Sequence, residues 1–159
     1  MHITIVAVGK VREPFLKEGM ELYRSRIAIP HKISFTNLPE EKIPDHCSPR
    51  QKTQITEAEW SSFLRSVRSP GTIIALHPDG ELLSSEEFAS RLKQYELEGR
   101  GSVTFLIGGP LGLPAGVLQR ADLVLSLSPM TFPHQLVRLI LLEQIYRADC
   151  IIRNIPYHK

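Results

Sequence analysis

SLSPMTFPHQLVR, residues 126–138, lies between an apolar strand at Leu123-Val124-Leu125 and an apolar helix over about Gln135 to Arg147. A strand end that opens into a helix start is where open α/β sheets take their ligands. Pro129 and Pro133 fix φ and remove two N–H groups, so the connection is stiff and preshaped. Hydroxyls at Ser126, Ser128 and Thr131 and the imidazole of His134 lie along it. Upstream, strand Val103–Ile107 runs into Gly108-Gly109-Pro110-Leu111-Gly112-Leu113-Pro114 in the same manner. A third strand stops at Leu76. The loops that follow these strands are expected to enclose one small-molecule pocket.

Outward from these loops, strands and helices alternate. Ile3–Val8 is apolar throughout, as a strand buried on both faces of a parallel sheet must be, and Gly9 ends it. Pro14 suits the first turn of a helix. Leu16, Met20, Tyr23 and Ile27 recur at helical spacing, Lys17, Arg24 and Arg26 lie off that face, and Pro30 closes the helix. His31–Leu38 reads as a second strand, and Pro39–Lys52 as a surface loop. Thr56 and Glu59 read as a capping box and Ile55 with Trp60 as a hydrophobic staple. The helix they open would bury Trp60, Phe63, Leu64 and Val67. Ser69-Pro70-Gly71 turns the chain into strand Thr72–Leu76, which ends in a turn at His77-Pro78-Asp79-Gly80. Ser84 and Glu87 cap a helix buried through Phe88, Leu92 and Tyr95 and ended by Gly99. A short helix near Ala115–Arg120 and strand Leu123–Leu127 complete the set. The fold class is α/β, a mostly parallel sheet flanked by helices, in a single domain over residues 1–159.

The last helix is apolar around nearly its whole circumference: Leu136, Val137, Leu139, Ile140, Leu141, Leu142, Ile145 and Tyr146. Such a helix is buried on more than one side. In so small a domain a partner subunit is the expected cover, which predicts a homodimer; a central helix covered by its own chain is the alternative.

The 19 basic and 17 acidic side chains leave a net charge of +2, too balanced to announce nucleic-acid binding and no bar to a local basic patch. Cys47 and Cys150 form no metal-ligand spacing, and the six histidines include no i,i+4 pair, so no metal is expected. The apolar run near the start is too short for a membrane span and has no charged leader, which predicts a soluble, cytoplasmic protein. The glycine loop is neither GxGxxG nor a Walker sequence, and no GxSxG elbow occurs. The catalytic material is thin: His134, Arg138, Tyr157 and His158. It suits a reaction needing positioning and one proton movement, such as methyl transfer from a sulfonium donor. The tail Asn154-Ile155-Pro156-Tyr157-His158-Lys159 reads either as a frayed end or as a group that stacks on a nucleotide.

VAVGK at Val6–Lys10, LIGGPLGL at Leu106–Leu113, the 126–138 stretch, LLEQIYRA at Leu141–Ala148 and the terminal YHK together resemble the RlmH family of the SPOUT superfamily. The resemblance runs from end to end of the chain. It implies a trefoil knot, roughly within residues 103–150, one of the exceptions to the rule against threaded chains. It implies S-adenosylmethionine as methyl donor, held by Leu76, Gly108, Leu127, Ser128, Pro129, Met130, Thr131 and Phe132. It implies a homodimer in which one subunit's tail completes the other's site. The implied substrate is N3 of a pseudouridine in 23S rRNA, within assembled ribosomes. On that chemistry His134 and His158 are candidate proton acceptors, Arg138 steadies charge, and Tyr157 orients the base. Lys10, Arg12, Arg24, Arg26, Arg153 and Lys159 are candidate RNA contacts. One departure stands out: His77 follows Leu76 where the family often has an acid. The rival classes are a non-catalytic RNA- or ribosome-binding protein on this fold and a small flavin- or nucleotide-binding protein.

Overall fold

Five parallel strands, in the order β2-β1-β4-β3-β5, make a single sheet. The computed structural model describes residues 1–27, 31–66 and 71–158. The roles read for Pro30, Val67, Ser69, Pro70 and Lys159 lie outside those residues. In chain order the elements are β1 (His2–Val8), α1 (Pro14–Arg26), β2 (Lys32–Leu38), α2 (Pro49–Ser66), β3 (Thr72–Leu82), α3 (Ser85–Leu97), β4 (Ser102–Ile107), α4 (Ala115–Leu118), β5 (Leu123–Ser126) and α5 (His134–Ile152). The α/β reading holds.

Side-chain alternation along the strands divides the core in two. Ile3, Ile5 and Ala7 of β1, with Val103, Phe105 and Ile107 of β4, face one layer, covered by Phe88 and Leu92 of α3 and by Leu141, Leu142 and Ile145 of α5. Val6 and Val8, with Leu106, face the other, covered by Trp60 and Phe63 of α2 and Val117 of α4. Trp60 is fully buried and meets Phe63 edge to face at 5.3 Å, so it is the core anchor its spacing indicates. Within the chain α5 has a buried side (Leu141, Leu142, Ile145, Ala148) and a half-covered one (Leu136, Leu139, Ile140, Tyr146).

Several boundaries differ from the sequence reading. Helix α2 starts at Pro49, so Thr56 and Glu59 lie in mid-helix and are not its cap. The cap is more than two turns upstream, at Ser48. Gln51 N–H donates to Ser48 Oγ at 3.2 Å and Ser48 N–H to Gln51 Oε1 at 2.9 Å. That is a reciprocal capping box with Pro49 at the first helical position. Thr56 Oγ instead donates to the Thr53 carbonyl at 3.0 Å. The loop after β2 therefore ends at Ser48. Residues 77–80 do not end β3 either: Leu76 and Glu81 both face Leu125, and the residues between them bulge out of the ladder. Strand β5 stops at Ser126, α4 at Leu118, and α5 continues five residues beyond Arg147. The Ser84–Glu87 capping box of α3 is present on both sides.

Candidate functional site

At the carboxyl ends of β3, β4 and β5 the departing loops enclose a cavity of ≈380 Å³. Strands β4, β3 and β5 are successive neighbours in the sheet, so the glycine loop leaves from mid-sheet beside the loop of β3, with that of β5 beyond it. Gly108 must be glycine. A Cβ there would come within 2.5 Å of the Gly112 carbonyl carbon, across the tight turn closed by Gly112 N–H to the Gly109 carbonyl at 2.9 Å. Gly80 answers to the same restriction: a Cβ would lie 2.7 Å from the backbone of Val124 and Leu125. The bulge of β3 is thereby pressed against the end of β5. The third loop holds its own shape, with Ser126 Oγ donating to the Ser128 carbonyl at 3.1 Å and Met130 N–H to Ser128 Oγ at 3.0 Å.

The cavity gathers most of the positions read as ligand contacts. Leu76, Gly108, Leu127, Ser128, Met130, Thr131 and Phe132 line it, and Pro129 does not. The exposed Pro129 shapes the bend from outside. His77, Pro78, Gly109, Pro110 and Val137 join the lining. The sequence signal for His77 and Pro78 was their place directly after Leu76, obscured by reading a free turn there. His77 Nδ1 accepts from Asp79 N–H at 3.2 Å. The neutral ring therefore carries its proton on Nε2, a donor where a carboxylate would be an acceptor.

The four candidate catalytic residues fall into three places. His134, the first residue of α5, lines the cavity. Burial, then the positive charge of Arg138, holds its imidazole below the ordinary range. Arg138 is buried and does not line the cavity. Its guanidinium donates to the Val8 carbonyl at 2.5 Å, to the Gly9 carbonyl at 3.0 Å and to Asn37 Oδ1 at 2.9 Å, tying α5 to the ends of β1 and β2.

Tyr157 and His158 belong to a separate cluster on the far part of α5. Tyr157 OH donates to Glu143 Oε1 at 3.0 Å, and Arg147 lies over its ring at 4.7 Å. Burial first, then hydrogen bonds with Tyr23 and Glu143, push the Tyr157 phenol well above its ordinary value, so it stays protonated. His158 Nδ1 accepts from Arg147 at 3.3 Å, and its Nε2–H reaches Glu86 at 2.7 Å. Tyr157 and His158 are thus docked, not frayed. Sequence reading missed Glu143 and Arg147. Their i,i+4 spacing on α5 was the available signal, hidden by the apolar residues around it. No group of three metal-binding side chains occurs among the described residues. Among the described residues no helix is long and apolar enough to cross a membrane.

A parallel sheet whose last three strands in chain order release their loops around one pocket is the architecture of a SPOUT-type methyltransferase. The family whose description reads Predicted SPOUT methyltransferase matches residues 1–158, and the chain belongs to it. Among curated relatives it is 46% identical, over all 159 residues of both chains, to the ribosomal RNA large subunit methyltransferase H of Carboxydothermus hydrogenoformans. It is 44% identical, again over both full chains, to that of Alkaliphilus oremlandii. Among solved structures, a methylase family protein of Haemophilus influenzae shares the fold with TM-score 0.60 at 12% identity, covering 99% of this chain and 70% of that one. A Legionella pneumophila methyltransferase with SAM bound gives TM-score 0.50 at 13% identity, covering 93% and 66%.

Proposed function

We propose that the chain transfers the methyl group of S-adenosylmethionine to N3 of a pseudouridine in 23S rRNA, acting as a cytoplasmic homodimer on assembled ribosomes. The observation that carries this is the cavity at the ends of β3, β4 and β5 in a chain of this family. Mostly apolar walls with a few main-chain and hydroxyl groups between them are what a nucleoside with an aliphatic tail requires. The names of the curated relatives supply the ribosomal RNA, and the Legionella neighbour of the same fold was determined with this donor. Leu76, Gly108, Leu127, Ser128, Met130, Thr131 and Phe132 are assigned to the donor. A knotted passage within residues 103–150 belongs to the same proposal.

The donor supplies a methyl group already activated by its sulfonium charge. What remains for the protein is alignment and one proton. N3 of the base lies between two carbonyls and loses its proton as it attacks. His134 is the proton acceptor at the cavity, its ring neutral at pH 7 because burial and Arg138 disfavour the cation. Tyr157 keeps its proton and therefore orients the base without deprotonating it. His158 has both nitrogens engaged, by Arg147 and Glu86. Since neither tail residue lines its own chain's cavity, the Glu143–Arg147–Tyr157–His158 cluster is assigned to the partner subunit's site.

Lys10, Arg12 and Arg24, with Lys17, line adjoining hollows between α1 and the ends of β1 and β2, and are assigned to RNA phosphates together with Arg26, Arg153 and Lys159. The test is incubation with ribosomes and a donor carrying a labelled methyl group, followed by nucleoside mass spectrometry of the rRNA. Label is expected in N3-methylpseudouridine of the 23S species. Label in another nucleoside, or none, overturns the proposal.

A further inference from the structure

Glu59 is buried, only 3% exposed, in the middle of α2, and the chemistry above makes no use of it. Its Oε1 accepts from the backbone N–H of Glu41 at 3.2 Å, across to the loop that follows β2. Its Oε2 lies 3.7 Å from where a Cβ on Gly109 would stand, so the carboxylate abuts the glycine loop at a residue that lines the cavity. The loop it holds carries Glu40, whose carboxylate reaches Arg12 at 3.7 Å. Arg12 N–H donates to Gln135 Oε1 at 2.9 Å, next to His134 on the opposite wall of the cavity. Glu59 thus packs beside Gly109 at one end and, through the Glu41 N–H, the Glu40 carboxylate and Arg12, connects by polar contacts to the start of α5.

Stability does not account for this carboxylate. Burial pushes its pKa above the ordinary carboxylate value, with Glu40 and Glu41 adding to the rise and the Glu41 N–H opposing it. A carboxyl whose folded pKa is raised contributes most when protonated. That contribution is lost as pH rises from the ordinary carboxylate range through the folded value, so the ionised form costs stability relative to the protonated one. An apolar group of like shape is expected to be tolerated as well or better. Groups that cost stability and remain are characteristic of working sites.

We infer that Glu59 is a positioning residue of the donor pocket, bracing the glycine loop against the 39–48 loop and, through Arg12, against the first turn of α5. The inference rests on the donor assignment above. Glu59 touches neither donor nor RNA in this reading; it sets the place of groups that do.

The test compares wild type with Glu59→Met and with Glu41→Pro, which removes the donated N–H from an exposed loop. Readouts are thermal midpoint, calorimetric Kd for S-adenosylhomocysteine, and KM for the donor against kcat. Glu59→Met is expected to keep or raise the midpoint while weakening Kd and raising KM about ten-fold, with kcat at saturating donor nearly unchanged. Glu41→Pro, which keeps the α2 core whatever befalls Glu59→Met, is expected to raise KM about five-fold. A folded variant of either kind whose donor Kd and KM stay within about two-fold of wild type overturns the inference. A wild-type protein that does not bind S-adenosylhomocysteine at all overturns the donor assignment itself, and this inference with it.

Discussion

Arg138 shows how much a residue's meaning depends on what it touches. Its position four residues after His134 suggests a cation facing the ligand. In the fold its guanidinium is spent on two carbonyls at the end of β1 and on Asn37. Removing it strips buried acceptors of a charged donor, so Arg138→Met is expected to lower unfolding stability by about 3 kcal/mol. Chemical denaturation measures this; a change well under ~1 kcal/mol contradicts the anchoring role. His134 makes a pH-dependent prediction. Its imidazole is held below the ordinary value of 6.5 in the folded chain. As pH falls below that value, the unfolded chain takes the proton first, and stability declines until the folded pKa is passed. Denaturation midpoints from pH 7 down to pH 5 are expected to fall less steeply for His134→Gln than for wild type. Equal slopes count against burial of the neutral ring.

At the level of elements, the start of α2 separates the legible from the hidden. Ser48-Pro49-Arg50-Gln51 carries every mark of a helix start, yet it lies among prolines and mixed charges that look like loop. The downstream Thr56–Glu59 pair mimics a cap because it has the same spacing. What decides between them is tertiary: Glu59 is needed inside, against Glu41 and Gly109, and Thr56 follows it inward. Ser48→Ala is expected to cost about 1 kcal/mol, the worth of an N-cap, and Thr56→Ala, buried in mid-helix, no capping loss in the first turn. Hydrogen exchange in the first turn of α2 locates the effect, and protection unchanged in Ser48→Ala refutes the cap.

The strand ends, by contrast, were readable because apolar runs and glycine punctuation depend on local chemistry alone. The single positions Leu76, Gly108 and Leu127–Phe132 came with the family resemblance, and all but Pro129 line the cavity at those strand ends. The bulge of β3 was not readable, since Gly80 is required by the backbone of β5, a neighbour remote in sequence. Glu143 and Arg147 escaped for a similar reason: only the docked tail reveals what they hold.

The whole molecule presents a cavity at one end of α5 and the Arg147–Tyr157–His158 cluster at the other. The proposed composite site requires the two to meet across a pair of chains. Leu136, Leu139 and Ile140 leave an apolar flank of α5 half covered, in the stretch between the two groups. A two-fold pairing along this flank would bring each tail cluster toward the other chain's cavity, because an isologous interface repeats every contact in both directions. The consequence is measurable by mixing. Thr131→Trp fills the cavity from an exposed position, and His158→Ala removes the tail imidazole. On the proposed pairing, each variant alone is expected to be nearly inactive in rRNA methylation. Mixed and allowed to exchange, half of the dimers pair one chain of each kind. In those, one composite site carries both lesions and the other carries neither, so activity is expected to recover to about a quarter of wild type. If each chain instead used its own tail, every site in the mixture would keep one lesion and no recovery would appear.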